Sequence, residues 1–190
     1  MLRRYGMINP WQTYKGTIIR LLEQVGTACA DYQDRVIQNV SAKRVQVDEI
    51  WSFVGAEAKN TKPEHFESGR YAGDAWTFVA IVADSKLVIG WLTGRRDAGY
   101  AADFLQDVAS RLSNRVQLTS DGHKMSLDAV PDAFGEAVDF AQLVKVYGDS
   151  TEGQRRYSPA QCLGTKRIDV IGDPDHKFIS TSVLSEKYVA

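Results

Sequence analysis

The chain has 190 residues, 44% of them hydrophobic and 25% charged, with 5 prolines and a formal net charge of −1. That length supports one α/β domain with a sizeable core rather than two, and the composition excludes a disordered or fibrous chain. The near-neutral balance argues against a simple basic nucleic-acid binder, because neutralising phosphates normally demands a surplus of Lys and Arg.

No run of about 18 apolar residues is present, so no membrane-spanning helix is expected. The N-terminal MLRRYGMINPWQTYKG is basic but lacks the continuous apolar stretch of a signal peptide. A cytoplasmic protein without a membrane partner is therefore expected, with Cys29 and Cys162 as reduced thiols. These cysteines and His65, His123 and His176 show no zinc-ligand spacing. The basic residues come in pairs, Arg3-Arg4, Lys43-Arg44, Arg95-Arg96, Arg155-Arg156 and Lys166-Arg167. Such pairs either line one groove or form ordinary solvated surface.

From Tyr14 to Gln33, the residues Ile18, Leu21, Leu22, Val25, Cys29 and Tyr32 recur at helical spacing and predict one amphipathic helix. The residues before it are too few, and too broken by Gly6 and Pro10, to complete a helix-turn-helix. Arg44 to Val54, RVQVDEIWSFV, alternates as a strand and carries Asp48 and Glu49 in its middle. A carboxylate inside an apolar strand needs compensation, for which a bound cation is one solution; an edge strand with Asp48 facing water is the other. After a polar loop, Trp76 to Ala83 and Leu87 to Leu92 form two apolar runs separated by Asp84-Ser85-Lys86, which predicts a hairpin. Trp51, Trp76 and Trp91 are expected in the core.

A helix follows through about Leu112, with Phe104, Leu105, Val108 and Leu112 as its core-facing stripe. A fourth strand, Arg115 to Ser120, ends directly at Asp121-Gly122. Lys124 to Phe134 reads as a helix disturbed by Pro131, and Val138 to Tyr147 as a fifth strand. Tyr147 to Asp175 is polar and broken, and reads as an insertion. The resulting β-β-β-α-β-α-β order fits an α/β fold of ribonuclease H-like type, a mixed five-stranded sheet with flanking helices. In that order the first and fourth strands are neighbours, so Asp48 and Asp121 meet at the strand ends where α/β sites sit. Two carboxylates there suit Mg²⁺ or Mn²⁺, and two such ions can clamp the attacking and leaving oxygens of a phosphoryl displacement. A plain Asp-Gly turn is the alternative reading of Asp121.

The segments VQVDEIWSFV, GDAWTFVAIVADSKLVIGW, GRRDAGYAADFLQDVASRL, VQLTSDGHK, AFG and DFAQLVKVYG resemble the transposases of the insertion sequence 1 group, over roughly residues 26 to 182. The resemblance implies metal-dependent DNA cleavage and strand transfer by an Asp-Asp-Glu triad, with Asp48 and Asp121 matching the first two metal ligands. Two Mg²⁺ or Mn²⁺ ions, DNA (element ends and target) as partner and a homo-oligomer are expected with it. The third acid departs from the pattern: the expected position holds Ser185, and Glu186 lies one residue late, which on a helix turns a side chain by about 100°. Glu152, in the insertion, is a weaker alternative. Residues 1–40 are then expected to be a remnant of a DNA-binding region and 41–190 a C-terminally shortened catalytic domain. Lys43, Arg44, Arg95, Arg96, His123, Lys124, Arg155 and Arg156 are the candidate DNA contacts. Whether the chain is an active enzyme turns on the third acid; the alternative is an inactive remnant that only binds DNA or intact transposase subunits. A metal-dependent nuclease unrelated to transposition would suit the same two aspartates.

Overall fold

The computed structural model describes residues 10–62, 71–122, 125–147 and 162–180. The chain divides into two compact units, Met1–Gln38 and Asn39–Ala190. The first holds helix α1 (Pro10–Val36), 27 residues long, which corresponds to about 40 Å. Its apolar stripe of Ile18, Leu21, Leu22, Val25 and Tyr32 is exposed. No helix among the described residues is long and apolar enough to cross a membrane.

The second unit is a mixed sheet with helices. In chain order it contains β1 (Arg44–Val54), β2 (Gly73–Val82), β3 (Val88–Gly94), α2 (Ala98–Arg111), β4 (Val116–Asp121), α3 (Met125–Phe134), β5 (Val138–Tyr147) and β6 (Cys162–Ile171). The strands lie side by side as β3-β2-β1-β4-β5-β6. β1, β4 and β5 run parallel, whereas β2, β3 and β6 pair antiparallel with their neighbours. This is the ribonuclease H-like arrangement, and it places β1 between β2 and β4, an interior strand as far as the Val47–Ser120 rung just before Asp48.

Alternation along the strands separates two faces. Val45, Val47, Phe78, Ala80, Leu118 and Phe140 lie on one, all buried. Helix α2 packs there through Phe104, whose ring centroid is 5.7 Å from that of Phe78. Its N-terminus is set by Asp97, which accepts from the Tyr100 N–H at 3.1 Å. α3 packs against α2. The opposite face carries Val79 and Ile81, both buried, with Ile50 and Val88 against them. The segment after β6 returns to the start of β1 and β4. There the Gln117 side chain exchanges two 3.1 Å hydrogen bonds with the Asp175 backbone, and Arg44 stacks over the Phe178 ring at 4.2 Å.

Two expectations are corrected. The sheet has six strands, not five: β6 lies inside the stretch expected to be an insertion. Leu163, Thr165, Lys166 and Arg167 are exposed, so β6 shows little of the apolar alternation that marks a strand; pairing with the open edge of β5 supplies the order instead. The tryptophans are not core residues either, since Trp51 is 44% and Trp91 48% exposed, and Trp76 is half-buried.

The turn after β6 rests on Gly172, with φ of +71°, and a Cβ there would lie 2.2 Å from Asp139 Oδ1 and 2.8 Å from Arg115 Nη2. Asp139 and Arg115 are themselves paired at 2.7 Å. Gly172→Ala is expected to lower Tm by about 3–6 °C, from a left-handed penalty of roughly 1–2 kcal/mol in a chain of this size. Thermal denaturation followed by circular dichroism checks this; an unchanged Tm would mean the turn relaxes at no cost.

Candidate active site

β1 and β4 share four rungs, the last pairing Val47 with Ser120. Asp48 and Asp121 are the next residue on each strand. Beyond that rung β1 continues against β2 alone, while Asp121 ends β4, paired only with Leu143 of β5. The two carboxylates thus come from adjacent parallel strands, about 4.8 Å apart, at the point where those strands part. Both residues border the recess formed by Val47, Glu49, Phe78 and Ser120 of the sheet and Ala101, Phe104 and Leu105 of α2, while alternation sets their side chains on the opposite face, that of Gln46, Val79 and Ile81. This is the carboxyl-end position where open α/β sheets place their sites.

Asp48 is half-buried, and its Oδ1 accepts from the Glu49 N–H at 2.8 Å. Burial pushes its carboxyl above the usual carboxylate range, and the charges of Asp121 and Glu49 push the same way. The Glu49 N–H and the Lys145 ammonium act against them, more weakly in sum. A carboxyl raised on folding contributes stability that is fully present below its unfolded value and is lost as pH rises through the folded one. Asp48→Asn should remove that loss: in metal-free buffer at neutral pH, Tm is expected to rise by about 2–4 °C. The gain should shrink as pH falls toward the ordinary carboxylate range. A variant less stable than the parent at neutral pH would contradict this.

Glu49 is the neighbouring carboxylate. Its side chain is 8% exposed and bonds Arg96 Nε through Oε2 at 2.5 Å. The Arg96 guanidinium lies 4.3 Å over the Trp76 ring. Gln46, two residues before Asp48 on the same face, is buried, and its Oε1 has no hydrogen-bond partner among the described residues. The site therefore offers paired hard carboxylate oxygens, one of them poorly tolerated as a bare anion. A divalent cation fits that donor set, because it would favour the ionised form of both groups.

The sequence-derived candidates separate by position. Asp48, Asp121 and Arg96 are brought to this end of the sheet, Arg96 held by Glu49 and Trp76. Lys43 and Arg44 stand at the opposite end of β1, four to five residues before Asp48, roughly 13–17 Å along the strand. Lys43 is exposed, and Arg44 is paired with Asp84. Arg95 is 74% exposed and pairs with Asp97 at 3.2 Å. His123, Lys124, Glu152, Arg155, Arg156, Ser185 and Glu186 lie outside the described residues. Sequence reading singled out neither Lys145 nor the role of Glu49. Lys145 stands on β5 two residues past Leu143, the partner of Asp121, so only the β4–β5 register reveals it.

No family model matches the chain, and no curated protein matches it. Among solved structures, endonuclease V from Bacillus subtilis is similar over 67% of this chain at 15% identity, with a TM-score of 0.32. This chain spans 57% of the length of that structure. A likeness that low carries no argument about either fold or activity, so the reading of the site rests on its own geometry.

Proposed function

We propose that this chain acts on DNA as a metal-dependent phosphodiester-processing domain of the transposase kind, cleaving strands and transferring a 3′ hydroxyl to a new phosphate. The observation that carries the reading is the meeting of Asp48 and Asp121 at the point where β1 and β4 part. The resemblance to insertion sequence 1 transposases supplies the transposition context.

Asp48 and Asp121 would hold the cations, Mg²⁺ or Mn²⁺. Bound there, such ions supply Lewis acidity and neutralise charge developing on phosphate. In the reaction an oxygen of water or of a 3′ hydroxyl forms a bond to phosphorus, the bond from phosphorus to the leaving 3′ oxygen breaks, and the attacking group's proton passes to solvent. Arg96 fixes the carboxylate of Glu49, the residue after Asp48, and Phe78, Phe104 and Leu105 wall the recess on that side of the sheet.

A strand-transfer assay tests the proposal: a labelled oligonucleotide with a free 3′ hydroxyl is incubated with plasmid and Mg²⁺ or Mn²⁺. Joined product supports the full reading. Metal-dependent nicking without joining would reduce it to a nuclease. Neither product, with DNA binding retained, would identify a non-catalytic chain.

A further inference from the structure

The β4–β5 and β5–β6 registers continue the row of Asp48 and Asp121 to two cations. Asp121 lies opposite Leu143 on β5, and Leu143 lies opposite Arg167 on β6. Directly opposed residues share a face, so Arg167 stands on the face of the acid pair, two strand spacings or about 10 Å from Asp121. Lys145, two residues past Leu143, alternates back to that same face, and its positive charge reaches Asp48. Both residues are exposed. The basic pair Lys166-Arg167 is thereby split, because Lys166 lies opposite Val144 and belongs to the other face. Arg44, Arg95, Arg96, Arg111 and Arg115 each hold a carboxylate, of Asp84, Asp97, Glu49, Asp107 and Asp139 in turn. Asp169, the next residue after Arg167 on its face, is bonded to His176 at 2.7 Å. Lys145 and Arg167 have no ion pair among the described residues.

We infer that Lys145 and Arg167 bind backbone phosphates of the DNA strand next to the scissile one, so that the strand crosses the β5–β6 side of the acid pair. The inference rests on the phosphodiester reading of Asp48 and Asp121 and adds where the substrate lies. A strand carries one negative charge per nucleotide, and the two carboxylates repel every phosphate that approaches them. Cations held by the pair offset this at the scissile phosphate. Salt screens exposed charges beyond about 10 Å at 0.1 M ionic strength, so a phosphate over Arg167 gains little from those cations and needs one of its own. At the 3.4 Å rise per strand of duplex DNA, about 10 Å is about three nucleotides. The Arg167 guanidinium offers a fork that matches phosphate oxygens, and the Lys145 ammonium a point charge nearer the pair.

The test is the salt dependence of duplex DNA binding, followed by fluorescence anisotropy in EDTA so that the outcome does not depend on cations at the acid pair. Lys145→Gln and Arg167→Gln are each expected to lower the slope of log affinity against log salt by about 0.9, which at 0.1 M salt is about eightfold in affinity. The double variant should lose about 1.8 of slope. Lys166→Gln makes the same change in net charge on the other face of β6, and should keep the parental slope. Arg167→Lys should regain the slope, which separates a lost charge from disturbed packing of β6. The inference is overturned if the parent binds no DNA, or if either glutamine variant keeps the parental slope. It is also overturned if Lys166→Gln lowers the slope equally, or if Arg167→Lys fails to restore it. Failure of the acid-pair reading would show separately, as a parent whose DNA binding depends on Lys145 and Arg167 but that gives no metal-dependent cleavage.

Discussion

Asp48→Asn and Asp121→Asn are each expected to reduce Mg²⁺- or Mn²⁺-dependent DNA cleavage by at least about 10³-fold. Each change keeps side-chain volume and removes one anionic ligand from the point where β1 and β4 part. The several kcal/mol of charge stabilisation that a metal supplies at phosphate corresponds to rate factors of about that size. The interpretation does not rest on activity alone. Burial disfavours the ionised Asp48, so Asp48→Asn should be at least as stable as the parent while losing the chemistry, which separates a lost ligand from a lost fold. Asp84→Asn is the matching control. It removes a carboxylate from the Arg44 pair at the opposite end of the sheet, and cleavage should remain at the parental rate. An Asp121→Asn variant with parental cleavage would remove β4 from the account.

The second large effect is structural. Arg96→Ala is expected to lower Tm by about 5–10 °C, whereas its neighbour Arg95→Ala should change it by no more than about 1–2 °C. Glu49 is 8% exposed against 36% for Arg96, and their 2.5 Å contact is reinforced by the stack on Trp76. Withdrawing one member of a buried pair strands the charge of the other, at 3–5 kcal/mol for full burial; the exposure of Arg96 reduces this to about 2–3 kcal/mol here. In a chain of this size each kcal/mol moves Tm by roughly 2–4 °C. Arg95 is 74% exposed, and an exposed pair such as Arg95–Asp97 is worth little. Thermal melts of Arg96→Ala and of the double variant Arg96→Ala, Glu49→Gln check the origin of the effect: neutralising Glu49 should recover much of the lost Tm. Lysine at 96 should recover little, because an ammonium restores the charge but neither the planar stack nor the fork. Equal Tm values for the Arg95 and Arg96 variants would contradict the assignment.

The two basic residues, adjacent in sequence, show what a sequence reading sees and what it misses. Both looked like phosphate contacts; the fold separates them, because Arg96, two residues past the end of β3, is held by Glu49, whereas Arg95 is 74% exposed and pairs with Asp97. β1, the hairpin of β2 and β3, α2 and β5 were legible because their apolar period is strong and local. The β1–β4 neighbourhood followed from the element order, which is why Asp48 and Asp121 could be paired before any coordinates. β6 was not legible, since an edge strand with Leu163 and Arg167 in solvent lacks the alternation of a half-buried one, and its order comes from long-range pairing with β5. Trp51 misled for a related reason. Its alternation is that of a core strand, but it lies past the rung where β4 stops, so the sheet supports it on one side only. Lys145 depended on register between two strands, information that no local pattern carries.

The central claim is that Asp48 and Asp121 form one cation site, and calorimetric titration of the purified chain with Mn²⁺, beside Asp48→Asn and Asp121→Asn, tests it most directly. The account expects binding by the parent that both substitutions abolish. A parent that binds no Mn²⁺, or binding indifferent to either substitution, would contradict it.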